Sequence, residues 1–348
     1  MVIVYAALLV TALVGAKVSV KKFNTAEYLS MDSTNTVRGF FIMLVFLSHF
    51  MQYYTYKNSI DILGGNISRT LGQMIVVMFM FYSGYGVCES VKRKGNGYVK
   101  SFPKNRVFKT LLHFDIAMLI YYILSLALKL DYSPSRVLLA LIGWESIGNS
   151  NWYIFAVLVL YLLTWIAFSI FKNNKYLAAA FTTALVCVYI AVIYNFKEYW
   201  WYDTVLTYAA GMWYSLFKEK LERLLTKNNI IWLVAAVITA VGWWYAHKYR
   251  VVPALRVVEA LVFALLVVVL SLKISINNKP VSWLGKHTFE IYVLMRIPMK
   301  LFHIWGLKEF NLYIYFFACL AATLALCALF SLLLRSVDKL VFKPKKIT

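Results

Sequence analysis

The sequence predicts an all-α fold, a polytopic transmembrane helical bundle of about eleven spans. Three observations carry that prediction. Hydrophobic residues make up 62% of the 348 and charged ones only 15%, with a mean hydropathy of +0.69, which leaves too little polar surface to cover a water-soluble domain of this size. The apolar residues lie in continuous runs of about 20, long enough to carry a helix across ~30 Å of hydrocarbon, and not in the alternating ten-residue segments of a barrel. The basic residues concentrate in every second loop, as the positive-inside rule requires.

In chain order the spans are 2–16, 36–55, 70–91, 109–130, 151–171, 176–195, 201–217, 229–247, 253–273, 285–305 and 311–336. The first lacks the positive n-region and the small-residue cleavage site of a signal peptide and is kept as a membrane helix. Residues 1–31 therefore form an extra N-terminal helix with a cytoplasmic linker, ahead of one membrane domain over 32–348. Internal repeats, low-complexity stretches and a separable soluble domain are absent from the sequence.

Loop charges set the orientation. Segments 17–35, 92–109, 172–175, 217–228, 273–286 and the tail from Arg335 carry 24 basic residues, and the alternate loops carry eight. This excess places the N-terminus outside and the C-terminus in the cytoplasm. It also explains the net charge of +21 without nucleic acid, because the charge is dispersed over short loops facing an anionic leaflet. The segment 92–109 stands out, with seven basic residues and with Gly95, Gly97 and Pro103 expected to break any helix. It suits a polyanionic cofactor or lipid headgroups. Cys88, Cys187, Cys319 and Cys327 all fall in spans without metal-like spacing, so no metal site is expected and they read as small packing residues.

Within span 36–55, Arg38 and His49 are separated by ten residues. Eleven steps of about 100° put both on one helix stripe, with about 16 Å of rise between them. Ionisable groups at membrane depth are costly unless they face a cavity or a partner, so the pair is a functional-site candidate. A histidine is the side chain best matched to general-base work near neutral pH, with a cation nearby to stabilise developing negative charge. The alternatives are a packing histidine and an arginine snorkelling to the headgroups.

Span 285–305 carries Arg296, Lys300 and His303 on one face, with His287 and Glu290 on the other. Arg296 lies near mid-membrane and needs a partner; it is a candidate substrate-binding residue. The external connection DYSPSRVLLALIGWESIGNSNW holds a short apolar run lying along or dipping into the membrane. Its Glu145 and Trp152 offer a hydrogen bond and a stacking face suited to a sugar, although an ordinary loop charge and an interface-belt aromatic explain them too. Arg256 and Glu259, at i and i+3, are expected to pair, and Asp115 is expected to answer the basic segment.

The segments VRGFFIMLVFLSHF, FMFYSGYGV, YVKSFPKNRVFK, NWYIFAVLVLYLL and SWLGKHTFEIYVL follow one another in the order and spacing of the type-3 acyltransferases. The chain resembles that family of bacterial integral-membrane O-acyltransferases over roughly residues 32–336. The resemblance implies an acyl group, often acetyl, taken from cytoplasmic acyl-CoA (acetyl-CoA) and delivered to a hydroxyl of a saccharide or glycolipid of the cell envelope. It implies Arg38 as the residue engaging the donor and His49 as catalytic base. Ser83 and Gly84 match the family's aromatic-x-x-Ser-Gly pattern, implying a hydrogen bond to the thioester carbonyl and a passage for a thin acyl arm, although packing alone accounts equally for the glycine. Arg106 and Lys109 occupy the family's basic pair, suited to a coenzyme A phosphate or to positive-inside anchoring. The sequence departs from the pattern in having Met295 and Arg296 after Tyr292 where a histidine is usual, and Leu111 and Leu112 where a proline usually follows the basic pair. Those departures touch the acceptor rather than the acyl-transfer core. The rival reading is a transporter or flippase for an anionic or saccharide substrate, but inverted repeats and paired broken helices are absent from the pattern.

Overall fold

The computed structural model describes residues 1–53 and 59–342; the lysines of 54–58 and of the chain end, counted in the loop charges, and the last two residues of the expected 36–55 span lie outside the described residues. The helices are α1 Val2–Leu13, α2 Met31–Phe50, α3 Ser59–Leu71, α4 Met74–Lys94, α5 Asn96–Phe102, α6 Lys109–Ala127, α7 Pro134–Leu141, α8 Trp152–Ile170, α9 Lys175–Ile193, α10 Leu206–Leu225, α11 Asn229–Lys248, α12 Pro253–Ser271, α13 Lys279–Lys286, α14 Thr288–Leu294, α15 Arg296–Ile304, α16 Leu307–Phe310 and α17 Leu312–Val341. Strands β1 (Ala16–Val18) and β2 (Ile274–Ile276) pair antiparallel, Lys17 opposite Ser275, and clip the N-terminal segment onto the loop after α12.

Among the described residues eight helical stretches are long and apolar enough to cross a membrane; the all-α bundle stands, and the expected spans 2–16, 201–217 and 285–305 are not among the eight. Span 2–16 is the 12-residue α1, about 18 Å long and short of the ~30 Å hydrocarbon layer. Its first residue packs on Gly64 of α3, and Gly15 beyond its end meets Asn277. Span 201–217 starts late: residues 199–201 form a 3-10 turn, Asp203 and Thr204 are buried in the bend, and α10 runs on into the charged Lys218–Arg223 stretch. Span 285–305 is divided into α14 and α15 at Met295. Pro298 has no N–H for the Leu294 carbonyl, and the helix breaks one turn before it.

The basic segment 92–109 is also not a loop. Gly95 ends α4 with φ +59, but Gly97 sits harmlessly in the first turn of α5, and Pro103 opens a π-type turn, Pro103–Phe108, that leads straight into α6. Proline is tolerated at the first position of such a turn because its missing N–H is not required there.

Two buried apolar clusters form the interior: one joins α2, α12, α14 and α17, the other α5, α8, α9 and α10, and α4 contributes to both. Close helix approach depends on glycine at two seams. A Cβ on Gly84 would collide with the Tyr208 carbonyl of α10, and one on Gly39 with the Val281 carbonyl of α13. The second seam presses α13 against the first turns of α2, and α14 and α15 then climb along α2 toward its C-terminal end.

Candidate active site

Helix α2 carries the first half of the site. Ser30 caps it by accepting the Ser33 N–H, and Asp32 in the first turn complements the dipole. Stripe residues Asn35, Arg38, Ile42 and Val45 form one wall of a cavity of about 1010 Å³. The facing walls come from α4, the π-type turn and α6, α8, and α14. Its chemistry is graded. Arg93, Lys94, Arg106, Lys109 and Lys286 line one end, and Tyr82, Tyr153, Tyr161 and Tyr292 line the interior.

The cations at the wide end are not equivalent. Lys109 Nζ lies 2.6 Å from Asp338 Oδ2, and His113 Nε2 lies 2.9 Å from the other oxygen of that carboxylate. Arg106 donates Nε–H to the Tyr98 hydroxyl at 3.1 Å and is in no ion pair among the described residues, so its remaining donors face the cavity. Among the described residues Arg38 makes only a cation–π contact, with its guanidinium 5.6 Å from the Tyr82 ring centroid. The hydroxyls of Tyr82 and Tyr292 are buried without a hydrogen-bond partner among the described residues. Unspent donors on a cavity wall are where a polar ligand completes the bonding.

The second half of the site lies past Tyr292. The His49 ring stands 6.4 Å from the Tyr292 ring, which in turn is 5.6 Å from Tyr153. Arg296 reaches across from α15 and donates from one terminal nitrogen to His49 Nδ1 at 2.7 Å and Gln52 Oε1 at 2.8 Å, and from Nε to Ser150 Oγ at 2.9 Å. Gln52 is exposed and His49 is partly buried. A guanidinium only donates, so Nδ1 is the acceptor and the neutral ring carries its proton on Nε2.

The structure thus brings Arg38, Ser83, Arg106 and Lys109 to one cavity, and pairs His49 with Arg296 outside its lining, behind the Tyr292 ring. Ser83 Oγ is 3.0 Å from the Tyr161 hydroxyl on that wall. Gly84, expected in the donor passage, is a packing residue instead, turned onto α10. Glu145 is held by Lys197 at 3.4 Å, whose ammonium also sits over Trp144, and Trp152 packs edge-on against Tyr153. Two expected pairings fail. Glu259 bonds His247 Nδ1 at 2.7 Å while Arg256 donates to the Arg250 carbonyl and stacks on Tyr199, because the tight bend after α11 brings those groups nearer. Asp115 faces a small apolar cleft with Met118 and Leu141, and the basic segment is answered by Asp338 from α17. Residues the sequence reading missed are the tyrosines 82, 153, 161 and 292 and Glu290, all on the cavity wall. Tyr82 lies one residue before the noted Ser83, and Tyr292 and Glu290 lie inside a noted motif, but nothing in the spacing distinguishes them from interface aromatics.

The sequence model of a family described as an acyltransferase domain matches residues 31–332. No curated protein and no solved structure matches the chain.

Proposed function

The chain belongs to the type-3 acyltransferase family and is a multi-pass membrane enzyme that transfers acyl groups; from that premise we propose that it moves an acetyl group from acetyl-CoA to a hydroxyl of a cell-envelope or exported glycan. One observation supports this reading above the others: a cavity with a basic mouth and a tyrosine-lined interior is walled by Tyr292, whose ring stands 6.4 Å from that of His49.

The polyanionic end of coenzyme A matches the cluster of Arg93, Lys94 and Arg106, where Arg106 keeps free donors for a phosphate. Arg38, with no anionic partner among the described residues, binds deeper along the arm. The rise of about 16 Å from Arg38 to His49 is a distance a pantetheine arm can span, which brings the thioester past Tyr292 to the imidazole. The imidazole takes the proton of the acceptor hydroxyl as the oxygen attacks the thioester carbonyl carbon. The C–S bond then breaks, and the departing coenzyme A thiolate receives the proton from the imidazolium. With donor and acceptor arriving from opposite sides, neither has to cross the membrane whole. The basic mouth on this reading faces the cytoplasm of the inner membrane.

The test is transfer of radiolabelled acetyl from acetyl-CoA to a panel of saccharides by the purified protein. His49→Ala should lower transfer at least ~100-fold, the scale of a lost general base, while inserting and eluting as the parent does. Full activity in that variant overturns the assignment.

A further inference from the structure

The outer group poses a problem that acyl transfer alone does not solve. As it stands, His49 has no lone pair to offer: Nδ1 is occupied by the Arg296 guanidinium and Nε2 carries the proton. A second difficulty is charge. Arg296 bonds only neutral groups, Lys300 follows it one turn later on α15, and among the described residues no carboxylate pairs with either. Like charges at i and i+4 repel, and in partly buried apolar surroundings two uncompensated cations are costly. Arg136 adds a third, donating Nε–H to the Ser146 carbonyl at 2.8 Å beside the same loop.

That loop is built to hold its shape. Ser146 Oγ donates to the Asn149 carbonyl at 2.8 Å and accepts the Gly148 N–H at 3.1 Å, and Ile147 N–H reaches the Asn149 side chain at 3.0 Å. Gly148 takes φ +104, a conformation suited to glycine, and a Cβ there would come to 3.3 Å from the Lys300 ammonium. Ser150, two residues on, holds Arg296. The loop therefore meets both cations with neutral groups, the Ser150 hydroxyl at Arg296 and Gly148 at Lys300, rather than with a counter-charge.

Resting on the acyltransferase reading above, we propose that the acceptor is an acidic saccharide, whose carboxylate or phosphate oxygen is bound between Arg296 and Lys300 and, by drawing the guanidinium off His49, uncovers the base. The anion takes over the hydrogen bond that Nδ1 receives at rest. Freed, Nδ1 accepts the proton of a neighbouring hydroxyl of the same saccharide, that oxygen attacks the thioester carbonyl carbon, and the coenzyme A thiolate leaves and takes up the proton. An acceptor without an anionic group leaves the imidazole capped, so the same contact supplies both binding and selection.

The experiment compares three acceptors of equal length with the full-length protein and acetyl-CoA: a glucuronate-containing oligosaccharide, its carboxyl-reduced neutral form, and a phosphorylated analogue. The parent enzyme should favour one or both acidic forms over the neutral one by about tenfold or more in kcat/KM, the scale of a charge-assisted hydrogen bond; the carboxylate and phosphate arms show which anion is read. Lys300→Gln should raise KM for the acidic acceptor and shrink that preference. Arg296→Met should abolish the preference while raising turnover of the neutral form, a gain that a merely structural role for Arg296 does not produce. Equal use of neutral and acidic forms by the parent, or an undiminished preference in Lys300→Gln, overturns the proposal. If no acceptor is acetylated and no His49-dependent release of free coenzyme A thiol is seen, the donor reading fails and this inference falls with it; thiol release or transfer without acid preference sinks the inference alone.

Discussion

Arg38 and Arg296 are both guanidiniums at membrane depth, yet they are held in opposite ways. Arg296 has three hydrogen bonds to neutral groups, and Arg38 has only the face of Tyr82. The first is fixed in place and the second has donors to spend. Replacing Arg38 by Lys keeps the charge but loses the planar fork and its stacking on Tyr82, so KM for acetyl-CoA should rise about tenfold, read from initial rates against donor concentration. An unchanged KM would remove Arg38 from the donor path. The sequence showed Arg38 and His49 because helical spacing is local and a charge in an apolar run stands out. It could not show the contact of His49 with Arg296, which lies 247 residues away and depends on how α15 is aimed. Gly84 failed as a site residue for the same reason: a motif position does not say which side of the helix faces the cavity.

Among the elements, the break between α14 and α15 is the one on which the site depends. The interruption at Met295 lies directly before Arg296, which meets His49, Gln52 and Ser150, and Pro298 leaves the Leu294 carbonyl without its helical N–H. Pro298→Ala restores the missing N–H and removes a helix-interior proline worth ~3 kcal/mol of disfavour, so a continuous helix becomes accessible. Acyl transfer should fall several-fold while the melting temperature in detergent holds or rises; activity and stability falling together would show that the break is only a packing accommodation. The long uniform helices were legible from apolar run length, since crossing ~30 Å demands it. The interruption at Met295 was not legible because hydropathy continues across it and the backbone there stays in the αR region. The 92–109 segment was misread in the other direction, because Gly97 and Pro103 stand at helix-start positions where neither disrupts anything.

At the scale of the whole molecule, the cations of the cavity mouth belong to the basic segments that carry the loop-charge asymmetry, so both point one way. On the topology expected from the loop charges, the mouth lined by Arg93, Lys94 and Arg106 falls on the side with 24 of the basic residues, and Gln52 beside His49 on the side with eight. Coenzyme A is an intracellular donor, so the reading requires that the basic side face the cytoplasm. Single cysteines test this after the native ones are replaced; Cys88, Cys319 and Cys327 are buried, and Cys187 is exposed. Lys227→Cys and Lys248→Cys flank α11, a 20-residue helix of about 30 Å, and both positions are exposed. A membrane-impermeant maleimide applied to intact cells should label position 248 and spare 227, with 227 and an added Lys100→Cys reacting only after the membrane is opened. The reverse pattern would put the basic mouth outside, away from any pool of acyl-CoA, and would leave Arg38 and Arg106 needing some other anion.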